Sequence, residues 1–252
     1  MSTEFDIIFE DFCSELNAID GMIASLATTG GSVTNARSRV AGANAALLLL
    51  GALFEEFIRQ IVKALFLEKL RSPSGFGSLP PKITAVVWRR SLEKAARVPF
   101  ADVVRDSAIM STKLTAIAKF CLDHDVAADV ADAVAHNDNN MRPNQLNELF
   151  NQVGLRNAIG QACEDADIIR HFGCDSAGKA KEEFEIWLEQ FFRRRNDVAH
   201  AIELNSSTGP ISLTSDIQCF RVFGKAIAAA SVADITPPPQ PPAPTTAQDS
   251  AR

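Results

Sequence analysis

The sequence lacks an excess of basic residues. Its formal net charge is -6 at pH 7 and its isoelectric point is about 5.3. That excludes capture of nucleic acid by bulk charge and leaves room only for a local basic patch. A secretory leader is not expected either, because Met1 to Glu10 carries Glu4, Asp6 and Glu10 and no basic start. Long apolar runs are missing. The most apolar stretch, Ala41 to Phe54, has 14 residues and ends at Glu55-Glu56, whereas a spanning helix needs roughly 20. A buried core helix and no membrane association are therefore expected.

Phosphate-binding loops are also lacking. Gly30-Gly31 and Gly75-Phe76-Gly77 have neither the Lys-Ser/Thr partner nor the preceding strand that such loops need. The five cysteines, Cys13, Cys121, Cys163, Cys174 and Cys219, are odd in number and irregular in spacing. Reduced thiols in a cytoplasmic protein fit them best. Cys121-x-x-His124 and His171-x-x-Cys174, with Cys163, offer zinc-type ligands but no tight knuckle. Neither a metal nor a cofactor is expected.

What remains is a chain of 252 residues, 46% of them hydrophobic, enough for a substantial core. Phe5, Ile8, Phe9, Phe12, Leu16, Ile19, Ile23 and Leu26 recur at helical spacing. Gly30-Gly31 breaks that helix, Ser32 caps the next, and the latter runs to about Leu70. Ser72 to Pro81 reads as a loop. Ile83, Val86, Val87 and Leu92 predict a helix stopped near Pro99. The Ala- and Asp-rich middle reads as helical pieces, and His136 to Pro143 as a polar loop. Asn144 is a candidate cap for a short helix through Phe150, with Gly154 as its stop.

The clearest helix runs from about Gly178 to Glu203, with Phe184, Trp187, Leu188, Phe191, Val198 and Ile202 on one face. Asn205 to Pro210 is a turn cluster, Ile211 and Leu213 read as a brief strand or arm, and Thr214 or Ser215 caps a last helix through about Val232. Pro237-Pro238-Pro239-Gln240-Pro241-Pro242 cannot continue a helix. The expected organisation is an all-α domain over residues 1–235, with about 71–142 as a candidate insert, and a disordered proline-rich tail over 236–252.

Chemistry concentrates late in the clearest helix. His200 can move a proton near neutral pH, and Arg195 carries a fixed charge on a planar fork suited to phosphate. Five residues apart, they point about 140° from each other around a helix. Asn196 and His200, four apart, share a face, so Asn196 can orient the imidazole while the long Arg195 reaches round to the same cleft. The spacing alone is common, and Arg193, Arg194, Arg195 and His200 would equally complement a helix dipole. Trp187 and Phe191 read as core.

The string Arg195-Asn196-Asp197-Val198-Ala199-His200 resembles the RN-D-x-AH signature of the HEPN superfamily. Leu53-Phe54-Glu55-Glu56-Phe57-Ile58 is similar to the LE-x-F-I segment in the second helix of the RiboL-PSP group. The weaker run Leu146 to Leu155 is similar in style. Where many members carry Gly after the histidine, this chain has Ala201. The resemblance implies an all-α helical bundle with extra helices, and a homodimer that cuts RNA without a metal. His200, Arg195 and Asn196 would be catalytic, supported by Asp197 and Glu55. Arg193 and Arg194 would contact RNA phosphates. The implied role is a toxin or antiphage effector, with an antitoxin or regulatory protein as partner. The alternative is a HEPN-like dimer that binds RNA, a nucleotide or a protein without cutting.

Overall fold

The computed structural model of the chain describes residues 3–28, 33–136, 140–200 and 208–236. Among them are eleven α-helices, one 3-10 turn and no strand. Helix α1 (Glu4–Thr28) opens with a reciprocal cap. The Asp6 N–H donates to Thr3 Oγ1 at 3.2 Å and the Thr3 N–H donates to Asp6 Oδ2 at 2.7 Å. Helix α2 (Val33–Arg71) is the axis of the molecule. At about 1.5 Å per residue it extends roughly 60 Å. Between Ala43 and Phe66 it is largely buried except along one stripe, Ala45, Leu49, Ala52, Glu56 and Gln60. Because Ala45, Leu49 and Ala52 on that stripe are themselves apolar, the sequence shows no clean polar face there.

Three helices enclose the middle of α2: α1, α10 (Ala177–His200) and α11 (Pro210–Ile235). Phe12 of α1 stacks on Phe57 of α2 with ring centres 4.1 Å apart. Helix α1 also crosses α11 closely, because a Cβ on Gly224 would lie only 3.0 Å from the Phe12 ring. Helices α10 and α11 run antiparallel, with Phe184 stacked on Phe223 at 4.0 Å and Phe191 edge-on to Phe220 at 4.8 Å. Phe54 of α2 fits between them, 4.5 Å from Phe220 and 6.4 Å from Phe192.

The middle of the chain forms α3 (Ile83–Ala96), α4 (Phe100–Arg105), α5 (Ser107–Asp123) and α6 (Ala131–Val134). Ile83, Val87, Phe120 and Val134 of this stretch join the common core. Arg90 donates to the Val134 carbonyl at 3.0 Å, and Lys63 of α2 pairs with Asp132 at 2.5 Å. A 3-10 turn at Gly75–Ser78 lies inside the expected loop. Next come α7 (Pro143–Gln152), α8 (Ala158–Ala162) and α9 (Ala166–His171). The two short helices α8 and α9 carry too few turns to show a period.

Two boundaries differ from the sequence reading. Helix α7 starts at Pro143 rather than being capped by Asn144, and Gly154 ends it at φ +95° as expected. Ile211 and Leu213 are not a strand or arm, because α11 already begins at Pro210 and Leu213 is fully buried. In both cases a proline at the first helical position supplies a preset φ and gives up only an N–H that would have no partner. The expected break at Gly30-Gly31, the helix end at Ala201 to Glu203, the turn at 205–207 and the proline-rich tail from Pro237 lie outside the described residues. No helix among the described residues is long and apolar enough to cross a membrane.

Phe54→Ala removes the ring that α2 inserts between α10 and α11. It is predicted to cost about 3–5 kcal/mol in urea denaturation. Ile211→Ala, at a side chain 89% exposed, is predicted to stay within about 0.5 kcal/mol of wild type.

Candidate functional site

The phenylalanine faces fix the rotation of α10, and with it the positions of the three consecutive arginines. Arg193 is exposed. Arg194 turns toward α11, donating to Asp216 Oδ1 at 2.8 Å and Ser212 Oγ at 3.2 Å. Its guanidinium carbon also lies 5.7 Å from the centre of the Phe191 ring. Arg195, about 100° further round, turns toward α2 and is half-buried.

Arg195 can pack there because α2 offers no side chain at Gly51. A Cβ on Gly51 would come within 3.3 Å of Arg195 Cγ and 3.6 Å of its Nε. A glycine inside an exposed helix costs about 1 kcal/mol relative to alanine, and here the small residue admits the arginine stem. One turn along α2, Glu55 faces the same place. Burial raises its carboxyl above the ordinary value, while the charges of Arg195 and Arg59 and a hydrogen bond from the Met141 backbone pull it back down. Glu55 Oε1 and Arg195 Nε are both buried without a hydrogen-bond partner among the described residues.

The outer end of Arg195 is held by two carboxamides. Its Nη1 donates to Asn196 Oδ1 at 3.3 Å and to Asn140 Oδ1 at 3.3 Å. Asn140 Nδ2 donates to Asn196 Oδ1 at 2.9 Å, closing a ring of three side chains. The bonds that place Asn196 among the described residues thus run to Arg195 and Asn140. His200 is exposed at the last described turn of α10, and Asp197 is exposed before it. The helix is continuous from Arg195 to His200.

So the structure brings Arg195, Asn196 and Glu55 together, leaves His200, Asp197 and Arg193 on the open surface, and commits Arg194 to α11. Asn140 is the participant that sequence reasoning missed. It lies in a polar loop with no periodicity to mark it. Gly51 did carry a signal, since a glycine inside a strong helical run often marks a close approach. Among the described residues no three His, Cys, Asp or Glu side chains gather as metal ligands would. Cys121 donates to the Thr84 carbonyl, and His124 stacks on Phe76.

The profile of the RiboL-PSP-HEPN family matches residues 13–231. The chain belongs to the RiboL-PSP-HEPN family. The matched span runs from α1 to the last turns of α11 and includes Gly51, Glu55, Asn140, Arg195 and His200. No curated protein and no solved structure matches the chain. The expected all-α, HEPN-type bundle is the observed one.

The division between Arg194 and Arg195 can be measured. Asp216 is buried, and burial holds its carboxyl above the ordinary value, with the Arg194 bonds and the Trp187 N–H opposing that rise. A carboxyl whose pKa is raised by folding costs stability when ionised. That cost is absent in acid and grows as pH rises from the unfolded value through the folded one. Arg194→Ala leaves the buried carboxylate without its cation, and is predicted to cost about 3 kcal/mol at neutral pH. The loss should shrink when urea denaturation is repeated near pH 4, roughly the unfolded value. Arg193→Ala should cost less than about 0.5 kcal/mol at either pH.

Proposed function

We propose that this HEPN domain is a metal-independent endoribonuclease, acting as a homodimer in the cytoplasm as a toxin or antiphage effector. The observation that carries this reading is the braced guanidinium of Arg195, held on a continuous helix that presents His200 five residues later. Cleavage of a phosphodiester by its neighbouring 2′-hydroxyl builds negative charge on the phosphoryl oxygens. A fixed guanidinium stabilises that charge most when its geometry is set in advance.

In this mechanism Arg195 holds the scissile phosphate. The 2′-oxygen attacks phosphorus and loses its proton to a base, and the 5′-oxygen leaves and takes a proton. His200 serves one of these two transfers, as an imidazole near neutral pH can. The products are a 2′,3′-cyclic phosphate and a 5′-hydroxyl. Asn196 sets the position of Arg195, Glu55 supplies a carboxylate behind it, and Asp197, beside Asn196, supports the Arg195 and His200 pair. Arg193, on the open surface, can meet a neighbouring phosphate. Two copies facing each other would deepen a site that is shallow on one chain. They would also bring two copies of Arg193 and Arg195 to one groove on an otherwise acidic protein.

The test is cleavage of total RNA by purified protein in EDTA. Wild type should cut, and Arg195→Ala and His200→Ala should each lose about two or more orders of magnitude in rate while remaining folded. Equal cutting by all three would overturn the site. No cutting across a range of RNAs would favour a HEPN dimer that binds without cleaving.

A further inference from the structure

The segment Asn140 to Arg142 touches the site through its first two residues and α10 behind the site through its third. The Asn140 carboxamide bonds to both Arg195 and Asn196 of α10. The Met141 backbone N–H bonds to Glu55 of α2, and the Met141 side chain is fully buried. Arg142 pairs with Glu189, further back on α10. One short stretch is thus tied to both helices that carry the site, and its buried methionine anchors it in the core. Because Pro143 starts α7 immediately afterwards, the stretch is rigid on that side.

We infer that Asn140 is a positioning residue for Arg195 and Asn196, held in place by the buried Met141 beside it, and that loss of its carboxamide leaves the fold intact but loosens the guanidinium. Asn140 accepts from Arg195 with one atom and donates to Asn196 with the other, so it fixes the two neighbours relative to each other. With Asn140 replaced by alanine, Nη1 keeps a single acceptor, and that acceptor loses the donor that orients it. A long side chain held by one bond samples more rotamers than one held by two. Charge stabilisation at a phosphoryl group falls steeply with such misplacement.

The kinetic part of this inference rests on the ribonuclease reading, so the experiment has a second arm that does not. In full-length protein, the Nε–Hε resonance of Arg195 is assigned by its loss in Arg195→Lys. In Asn140→Ala it should shift and lose order while the backbone spectrum stays folded. For RNA cleavage by the same protein, kcat should fall about tenfold or more with KM nearly unchanged. Asn140→Asp, which keeps an acceptor for Arg195, should recover part of the loss. Asn140→Ala should cost less in an Asn196→Ala background than in wild type, because both act through Arg195. An unmoved Arg195 resonance overturns the inference whatever the kinetics. So does a wild-type kcat in Asn140→Ala, or full additivity with Asn196→Ala. If wild type cuts no RNA but the resonance moves, the ribonuclease reading fails and the positioning of Arg195 by Asn140 stands.

Discussion

The packing of Phe54 between α10 and α11 is the contact on which the site depends. It locks three helices through one side chain, with Phe192, Phe220 and Phe223 around it. Aromatic packing of this kind fixes rotation as well as distance, because flat rings interdigitate in few ways. Once α10 cannot turn about its axis, Arg194 must face α11 and Arg195 must face α2. The sequence Arg-Arg-Arg therefore becomes one solvent-facing charge, one structural ion pair and one candidate phosphate ligand.

The same constraint explains the unusual surroundings of Arg195. Gly51 gives the stem room, Glu55 places a half-buried carboxyl nearby, and the carboxamides of Asn140 and Asn196 hold the outer nitrogen. A surface arginine spends conformational entropy each time it settles on a ligand. For Arg195 much of that ordering is done during folding. Its cost appears locally as a carboxyl held above its ordinary value and two buried polar atoms without partners among the described residues. Strain of this sort is characteristic of sites whose geometry serves something other than stability.

Much of this was legible in the sequence, and the limits follow from physics. The helical periods of α1 and α10 are long and clean, so their existence and faces were readable. Helices α8 and α9 are too short to show a period, and the start of α11 was hidden because an Ile-x-Leu pair looks the same in a strand as in a buried helix turn. Arg195, Asn196 and Glu55 were reached through the resemblance to HEPN domains, and the structure does bring those three together. Periodicity could not separate Arg194 from Arg195, because only the partner across the interface, Asp216 or Gly51, distinguishes them. Asn140 had no local signal at all: its role comes from a contact with a residue 55 positions away.

The chemistry assigned to Arg195 and His200 commits the reaction to one pair of product ends. The most direct measurement is therefore the end groups left on RNA by wild-type protein in EDTA. The account predicts a 2′,3′-cyclic phosphate on one fragment and a 5′-hydroxyl on the other, because the nucleophile is the neighbouring 2′-oxygen. Fragments ending in a 3′-hydroxyl and a 5′-phosphate would mean that water attacks instead. That outcome would contradict a mechanism in which the braced arginine holds the phosphate and the histidine serves one of the two proton transfers that accompany attack by the 2′-oxygen.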